Sequence, residues 1–242
     1  MLKLINGEIY RFLHKKSVYA YFGALAVGYI LFAFVRSGGL HEESVVNDAI
    51  KFFSFSPALI GGLLFSTIYT DDLNAKNLIT LVGYGLSKTK IVLAKFILAA
   101  LLGAAAFGLL PLFHYAVYAV FDCVASPVQI GTLYAVSLKF LLMTLAFCAL
   151  SSITVYGLQR ATFAVVTYIL FAFGVISTLL TAVINVLELN LYEHLLSGVT
   201  DRIMAGVIGN AALAPAIAQY AVYVIIAVAL SAAAFNKKEM EF

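Results

Sequence analysis

The composition of the chain excludes a soluble globular protein. Of its 242 residues, 63% are hydrophobic and only 11% are charged, whereas a soluble domain carries about 25% charged residues. The net charge of +3 is small and indicates no nucleic-acid partner. Charged residues are sparse along the whole chain, so we expect residues 1–242 to form a single membrane domain.

The first sixteen residues predict an amphipathic helix. Ile5, Ile9, Phe12 and Leu13 recur at helical spacing, and the basic residues lie mostly elsewhere around the helix. We expect residues 1–16 to lie in the membrane interface. The alternative is a solvated basic tail that only fixes the orientation of the chain.

Six apolar stretches are long enough to span a bilayer, because about 20 helical residues cross its hydrocarbon core. They are residues 17–35, 52–69, 91–121, 132–158, 161–186 and 211–235. With the N-terminus inside, eleven of the fifteen lysines and arginines are cytoplasmic. Both termini are therefore predicted to be cytoplasmic. The third stretch is the longest, so we expect it to tilt, kink at Pro111 or protrude, with Lys95 snorkelling to the inner face.

Small residues recur every four positions on the second stretch. Ser54, Ala58, Gly62 and Ser66 would let another helix approach closely. The partner helix can belong to the same chain or to a second copy.

Few polar residues lie within the stretches. His114, close to Pro111, is either part of a transport pathway or an interior histidine held by hydrogen bonds. Ser177, Thr181 and Asn185 form a polar stripe that would line a pathway or join two helices. No carboxylate falls in the middle of a stretch, and no metal motif or catalytic cluster is present. The sequence therefore predicts neither an enzyme nor a metal site.

Residues 187–210 carry apolar residues at helical spacing between charged positions. We expect a short interfacial or re-entrant helical hairpin on the outer face. An ordered loop is the alternative.

Residues 70–90 form the main cytoplasmic segment. Its "GYGLSKTK" resembles a phosphate-binding loop, but Ser87 and Val82 stand where that loop needs glycines. We therefore expect no ATP site on this chain. Asp71 or Asp72 is a suitable N-cap for a short helix over "LNAKNLITLV", and Gly83 or Gly85 can end it.

This arrangement resembles the permease subunits of type 2 ABC exporters. The likeness covers the architecture of the whole chain and is sequence-specific over Asp71 to Lys95, where "KNLITL" and "GLSK" match the coupling helix and the glycine, serine and basic residue after it. It implies an all-α polytopic fold of six spans. An N-terminal elbow helix, a coupling helix between spans 2 and 3 and a short outer hairpin between spans 5 and 6 would complete that fold.

The resemblance also implies partners and contact residues. Two permeases would pair, and each would dock its coupling helix on a separate ABC subunit that binds ATP and magnesium, while this chain binds no cofactor. The implied coupling residues are Asp72, Lys76, Leu78, Ile79, Leu81, Tyr84 and Lys88. The three apolar side chains would enter the cleft of the ATPase, and the others would orient the helix.

The short length of the chain is similar to that of bacterial peptide exporters. We therefore expect a permease of the bacterial cytoplasmic membrane that moves hydrophobic or amphipathic peptides outward, in toxin or antimicrobial peptide export or immunity. The alternative is a self-contained ion-coupled carrier or channel, for which the inner segment is only a tether.

Overall fold

A computed structural model describes residues 2–36, 44–74, 77–121, 123, 125–189, 191–209 and 212–238. These residues form helices and no strand, which confirms the predicted all-α class. The first six α-helices are α1 (Leu2–Leu13), α2 (Lys16–Arg36), α3 (Ser44–Phe53), α4 (Ser56–Phe65), α5 (Asp71–Asn74) and α6 (Asn77–Gly83). The remaining helices are α7 (Lys88–Ala119), α8 (Pro127–Leu158), α9 (Ala161–Ala172), α10 (Val175–Val186), α11 (Leu196–Val207) and α12 (Leu213–Lys237).

Four of the described helices, namely α2, α7, α8 and α12, are long and apolar enough to cross a membrane. The number rises to six if two bent helix pairs each count as one span. Large apolar side chains remain exposed on these helices, for example Phe34, Leu109 and Ile225 at about two thirds of their surface. Such surfaces are typical of lipid-facing helices and support a membrane-embedded protein.

The first bent pair occupies the region of the second predicted stretch. α3 and α4 meet at 41°, with Ser54 and Phe55 at the bend. A π-helical turn over Ser66–Thr70 then leads from α4 directly into α5. Asp71 and Asp72 consequently continue a helix. The prediction that one of them caps a new helix is wrong, because the apolar helix before them does not end.

The longest helices, α7 and α8, form the centre of the bundle. Each has 32 residues and reaches about 48 Å, which exceeds a bilayer core of about 30 Å. α7 passes through Pro111 as one helix. The buried Ser137 hydroxyl of α8 donates to the Phe107 carbonyl of α7 at 2.6 Å, and a capping box of Ser126 and Gln129 begins α8.

The closest helix packing around the predicted ladder of small residues occurs at Gly61. A Cβ atom there would lie 2.0 Å from the Tyr168 hydroxyl and 2.7 Å from the Thr144 methyl. A Cβ atom at the neighbouring Gly62 would lie 3.9 Å from Tyr168. Glycine at position 61 thus allows α4 to contact α8 and α9, and Gly62 lies at the side of this contact.

The ladder residues themselves are less enclosed. Ser54 is exposed, and Ala58, Gly62 and Ser66 are half-buried. A helix of a second copy therefore retains access to this face, and the predicted subunit interface stays a prediction.

The second bent pair occupies the fifth predicted stretch. α9 and α10 meet at 57° at Gly174, whose φ of 72° is in the left-handed region. No residue of α10 is buried. α10 therefore lies outside the packed core of the bundle.

Residues 187–210 are helical where they are described, with a 3-10 turn at Tyr192–His194 followed by α11. Val199 and Ile203 of α11 pack with Ala216 of α12 in a small separate cluster. Lys139 of α8 and Asp201 of α11 form an ion pair at 2.5 Å. The expected helix is thus present, and its placement on the outer face stays a prediction.

Candidate functional site

A buried carboxylate, Asp72 of α5, lies at the centre of an ion-pair network between four helices. Only 1% of its side chain is exposed. Its Oδ1 accepts a hydrogen bond from Arg11 Nη1 at 2.7 Å and one from Asn77 Nδ2 at 3.3 Å. Its Oδ2 pairs with Lys95 Nζ of α7. Asp72 therefore connects α1, α6 and α7 to the helix on which it lies.

A second carboxylate, Glu8 of α1, completes the network. One of its oxygens lies 2.9 Å from Lys95 Nζ, and the other lies 2.6 Å from Arg11 Nη2. Two anions and two cations thus alternate, and their formal charges cancel. Ions removed from water are tolerated only when they are paired in this way, because desolvation costs several kcal/mol for each ion.

The structure corrects the prediction that Lys95 snorkels to the inner face. Only 1% of this side chain is exposed, because α1 packs over α7 and supplies Glu8. The charge of the amine is balanced by Glu8 and Asp72 inside the protein, and the amine does not reach water. An ionisable residue within an apolar run requires a partner of opposite charge. The position of Lys95 was therefore the feature of the sequence that indicated the network.

Arg11 remains charged within the network. Burial disfavours the guanidinium, but the hydrogen bond to Asp72 and the charges of Asp72, Glu8 and Asp71 outweigh it, so the pKa of Arg11 is raised above its ordinary value. The guanidinium therefore does not titrate at physiological pH, and pH changes in that range leave its charge in place.

A second, more exposed ion pair lies beside this network. Lys15, between α1 and α2, pairs with Asp71 of α5, and both side chains are more than one third exposed. Such a pair contributes about 0.2–1 kcal/mol in water. The two adjacent aspartates thus have different roles, since Asp72 is internal and Asp71 is at the surface.

The implied coupling residues divide into internal and exposed groups. Leu78 is 5% exposed and belongs to the main core, and Leu81 packs against that core. Asp72 is also internal in this chain, and the predicted coupling roles of Asp72 and Leu78 stay predictions. Ile79 is half-buried, and Tyr84 is 82% exposed. Lys76 lies outside the described residues.

Lys88 connects the start of α7 to the end of α12. Its Nζ donates to the Lys238 carbonyl at 2.6 Å and lies 5.5 Å from the centre of the Phe235 ring. Asn236 also donates to the Thr89 hydroxyl at 3.3 Å. Lys88 thus has a contact within the chain that its predicted partner-facing role did not include.

His114 lies in a buried polar cluster of α2, α3 and α7. Its ring is fully buried, with Nε2 2.9 Å from the Val45 carbonyl and Nδ1 bonded to the Tyr29 hydroxyl. Because a carbonyl only accepts, Nε2 carries a proton. The geometry favours an interior histidine held by hydrogen bonds, which is one of the two predicted interpretations.

Asp48 is a buried carboxylate that the sequence interpretation placed outside the spans. It is 2% exposed and accepts a hydrogen bond from the Tyr118 hydroxyl at 2.9 Å. α3 begins well before the apolar stretch at residue 52, so Asp48 lies on a packed helix outside that stretch. Asp48 therefore does not contradict the expectation that no carboxylate falls in the middle of a stretch.

The predicted polar stripe on α10 forms hydrogen bonds within its own helical segment. Ser177 donates to the Gly174 carbonyl and Thr181 donates to the Ser177 carbonyl, each at 2.9 Å. Asn185 is exposed. Ser177 also borders a cavity of about 220 Å³ between α8, α10 and α11, so a role of the stripe in a pathway stays a prediction.

Comparisons with known proteins identify no relative of the chain. No protein-family model, curated protein or solved structure matches it. Among the residues that the structure describes, no three histidine, cysteine or acidic side chains are grouped to hold a metal ion. The candidate site is therefore the ion-pair network together with the adjoining α6.

Proposed function

We propose that the chain is the membrane subunit of an ATP-driven exporter in a bacterial cytoplasmic membrane. Its six spans would be α2, the pair α3 and α4 with its continuation into α5, α7, α8, the pair α9 and α10, and α12. Both termini are cytoplasmic in this proposal. α1 is the elbow helix, and α6 is the coupling helix that docks on a separate ATP-binding subunit.

The observation that carries the proposal is the connection from α6 to the membrane helices. Asn77, the first residue of α6, donates to Asp72, and the same carboxylate binds Arg11 of α1 and Lys95 of α7. A displacement of α6 would be transmitted to both helices, because charge-assisted hydrogen bonds are strong and the side chains of Asp72 and Lys95 are buried. This is the mechanical property that a coupling helix needs.

The surface available to a partner is the exposed end of α6. Thr80 and Tyr84 are exposed there, and Ile79 is half-buried between them and the core. An exposed tyrosine is a common anchor in protein interfaces. ATP and magnesium would be bound by the partner, so this chain would transmit the effect of hydrolysis without catalysing it.

A second permease copy and a peptide cargo complete the proposed assembly. The half-buried face of Ala58, Gly62 and Ser66 supports close packing with a second copy. The cargo would be a hydrophobic or amphipathic peptide, since the helix surfaces are almost entirely apolar.

A matched pair of tyrosine variants tests the docking surface. The full chain would be co-expressed with any ATP-binding subunit that is encoded beside it, and the amount of this ATPase retained on the purified chain would be measured. Tyr84→Ala should reduce retention by about tenfold or more, as expected for an interface hot spot. Tyr192→Ala is the control, because Tyr192 is also exposed but lies in the segment before α11. Equal retention by both variants would exclude this end of α6 as the docking site.

A self-contained ion-coupled carrier is the second candidate, and the cluster of His114, Tyr118 and Asp48 favours it. Buried ionisable residues within spans often belong to proton or ion pathways. The carrier requires transport by this chain alone in liposomes, driven by an ion gradient and lost in Asp48→Asn. The exporter requires the ATPase and ATP for any transport.

A further inference from the structure

An elongated apolar cavity of about 410 Å³ lies between α1, α2, α7 and the bend of α3 and α4. Phe12 and Leu13 of α1 border one end, and Phe52 and Phe113 border the other. Apolar cavities of about 150 Å³ already bind small hydrocarbons. This cavity, which we call the α2–α7 slot, is large enough for a longer hydrocarbon chain.

The walls of the α2–α7 slot are almost entirely apolar. Tyr29 and Ser56 are the two lining residues with a polar side-chain atom. The Tyr29 hydroxyl is bonded to His114, and the Ser56 hydroxyl donates to the Phe53 carbonyl at 2.5 Å. Every other lining side chain is hydrocarbon, so the slot selects an apolar occupant and disfavours water.

The length of the slot matches one leaflet of a bilayer. Along α7 its lining extends from Leu102 to Phe113, which is about 16 Å at 1.5 Å per residue. Half of a bilayer core is about 15 Å. Leu109 lines the slot and is also 64% exposed, so the slot is accessible from the lipid-facing side of the bundle.

Two lysines follow the α1 end of the slot in the chain. Leu13 lines this end, and Lys15 and Lys16 follow it directly in the chain. Lys15 is paired with Asp71, whereas Lys16 is exposed at the first position of α2. A basic residue at a membrane surface attracts anionic lipid headgroups.

We propose that the α2–α7 slot is a binding site for an anionic phospholipid. One acyl chain occupies the slot, and the phosphate lies near Lys16. The bound lipid fills the space between α2 and the remaining bundle. This site is independent of the exporter proposal, since it requires neither an ATPase nor a cargo.

Tryptophan fluorescence tests the proposal directly, because the chain contains no tryptophan. Phe22→Trp introduces one into the wall of the slot. Val27→Trp introduces one on the exposed face of the same helix, outside the slot. Each full-length variant would be reconstituted in phosphatidylcholine vesicles and titrated with brominated phosphatidylglycerol or brominated phosphatidylcholine, whose bromines quench tryptophan on contact.

The expected result is selective quenching at the slot. For Phe22→Trp, the anionic brominated lipid should reach half-quenching at an about fivefold lower mole fraction than the zwitterionic one. For Val27→Trp, the two lipids should quench alike. Adding Lys16→Gln to Phe22→Trp should remove the headgroup preference and leave quenching itself intact.

A second pair of variants tests occupancy of the slot by volume. In the Phe22→Trp background, Ala106→Phe fills the slot and should weaken quenching, whereas Ala104→Phe changes an exposed position of α7 outside it. Equal quenching of Phe22→Trp by both brominated lipids would show ordinary bilayer contact and overturn the proposal. Absence of quenching would also overturn it, since it would show that the slot is closed or covered by a second copy of the chain.

Discussion

Replacing Lys95 by methionine tests the ion-pair network that joins α1, α5, α6 and α7. The amine lies within ion-pair distance of both Glu8 and Asp72. Without it, two carboxylates share the single guanidinium of Arg11, and one negative charge remains uncompensated. Breaking a buried ion pair on one side costs about 3–5 kcal/mol. Since each 1.4 kcal/mol is a factor of ten, the ratio of folded to unfolded chain should fall by about two to four orders of magnitude.

A second substitution should partly restore the stability. Asp72→Asn removes one carboxylate, so the double variant with Lys95→Met is again neutral. Glu8 and Arg11 retain their contact at 2.6 Å. The free energy of unfolding of the double variant should therefore exceed the additive expectation from the two single variants by about 1–3 kcal/mol.

The assay is unfolding of the full chain in mixed detergent micelles, followed by the loss of helical circular dichroism. Lys15→Met and Asp71→Asn form the control cycle, because that pair also involves α5 but both of its side chains are more than one third exposed. Its coupling should not exceed about 1 kcal/mol. Additive effects of Lys95→Met and Asp72→Asn would refute the network as a coupled unit.

Three further substitutions test the packing of the bundle. Gly61→Ala should destabilise the fold by about 1–3 kcal/mol, because the new methyl group collides with Tyr168, whereas Gly62→Ala should have little effect in the same unfolding assay. Ser126→Ala removes the capping box of α8 and should cost about 1 kcal/mol in thermal unfolding. Lys88→Met should increase amide hydrogen exchange in the last turn of α12 and leave the other helices unchanged, since its contact there is local.

The all-helical class and several helices were predictable from local sequence properties. The apolar stretches that correspond to α2, α7, α8 and α12 are long enough to be recognised without any knowledge of their neighbours. The amphipathic pattern of Ile5 and Phe12 likewise predicted α1, and both side chains are buried. These features depend on residues within one helix, and hydrophobic periodicity describes patterns of that length.

The candidate site was less predictable because its members are distant in the chain. Arg11 and Asp72 are 61 residues apart, and the Lys88 amine and the Lys238 carbonyl are separated by 150 residues. No local pattern encodes such pairings. Lys95 alone carried a signal, since a cation within an apolar run needs a counter-ion.

Helix boundaries caused the other errors. The second apolar stretch begins at residue 52, but tertiary packing extends the helical segment back to Ser44, so Asp48 lies on α3. Asp72 appeared to cap a new helix because aspartate favours that position. In the structure the preceding helix continues through a π-helical turn, and the same aspartate instead binds cations of two other helices.

The most direct test of the account is the composition of the complex that this chain forms. The chain would be purified in mild detergent together with any ATP-binding subunit that is encoded beside it, and the mass of the assembly would be measured by native mass spectrometry. The exporter proposal predicts two copies of this chain with two copies of the ATPase, and it predicts that the ATPase is lost from the assembly of the Tyr84→Ala variant. Recovery of this chain without the ATPase, with transport driven by an ion gradient alone, would contradict it.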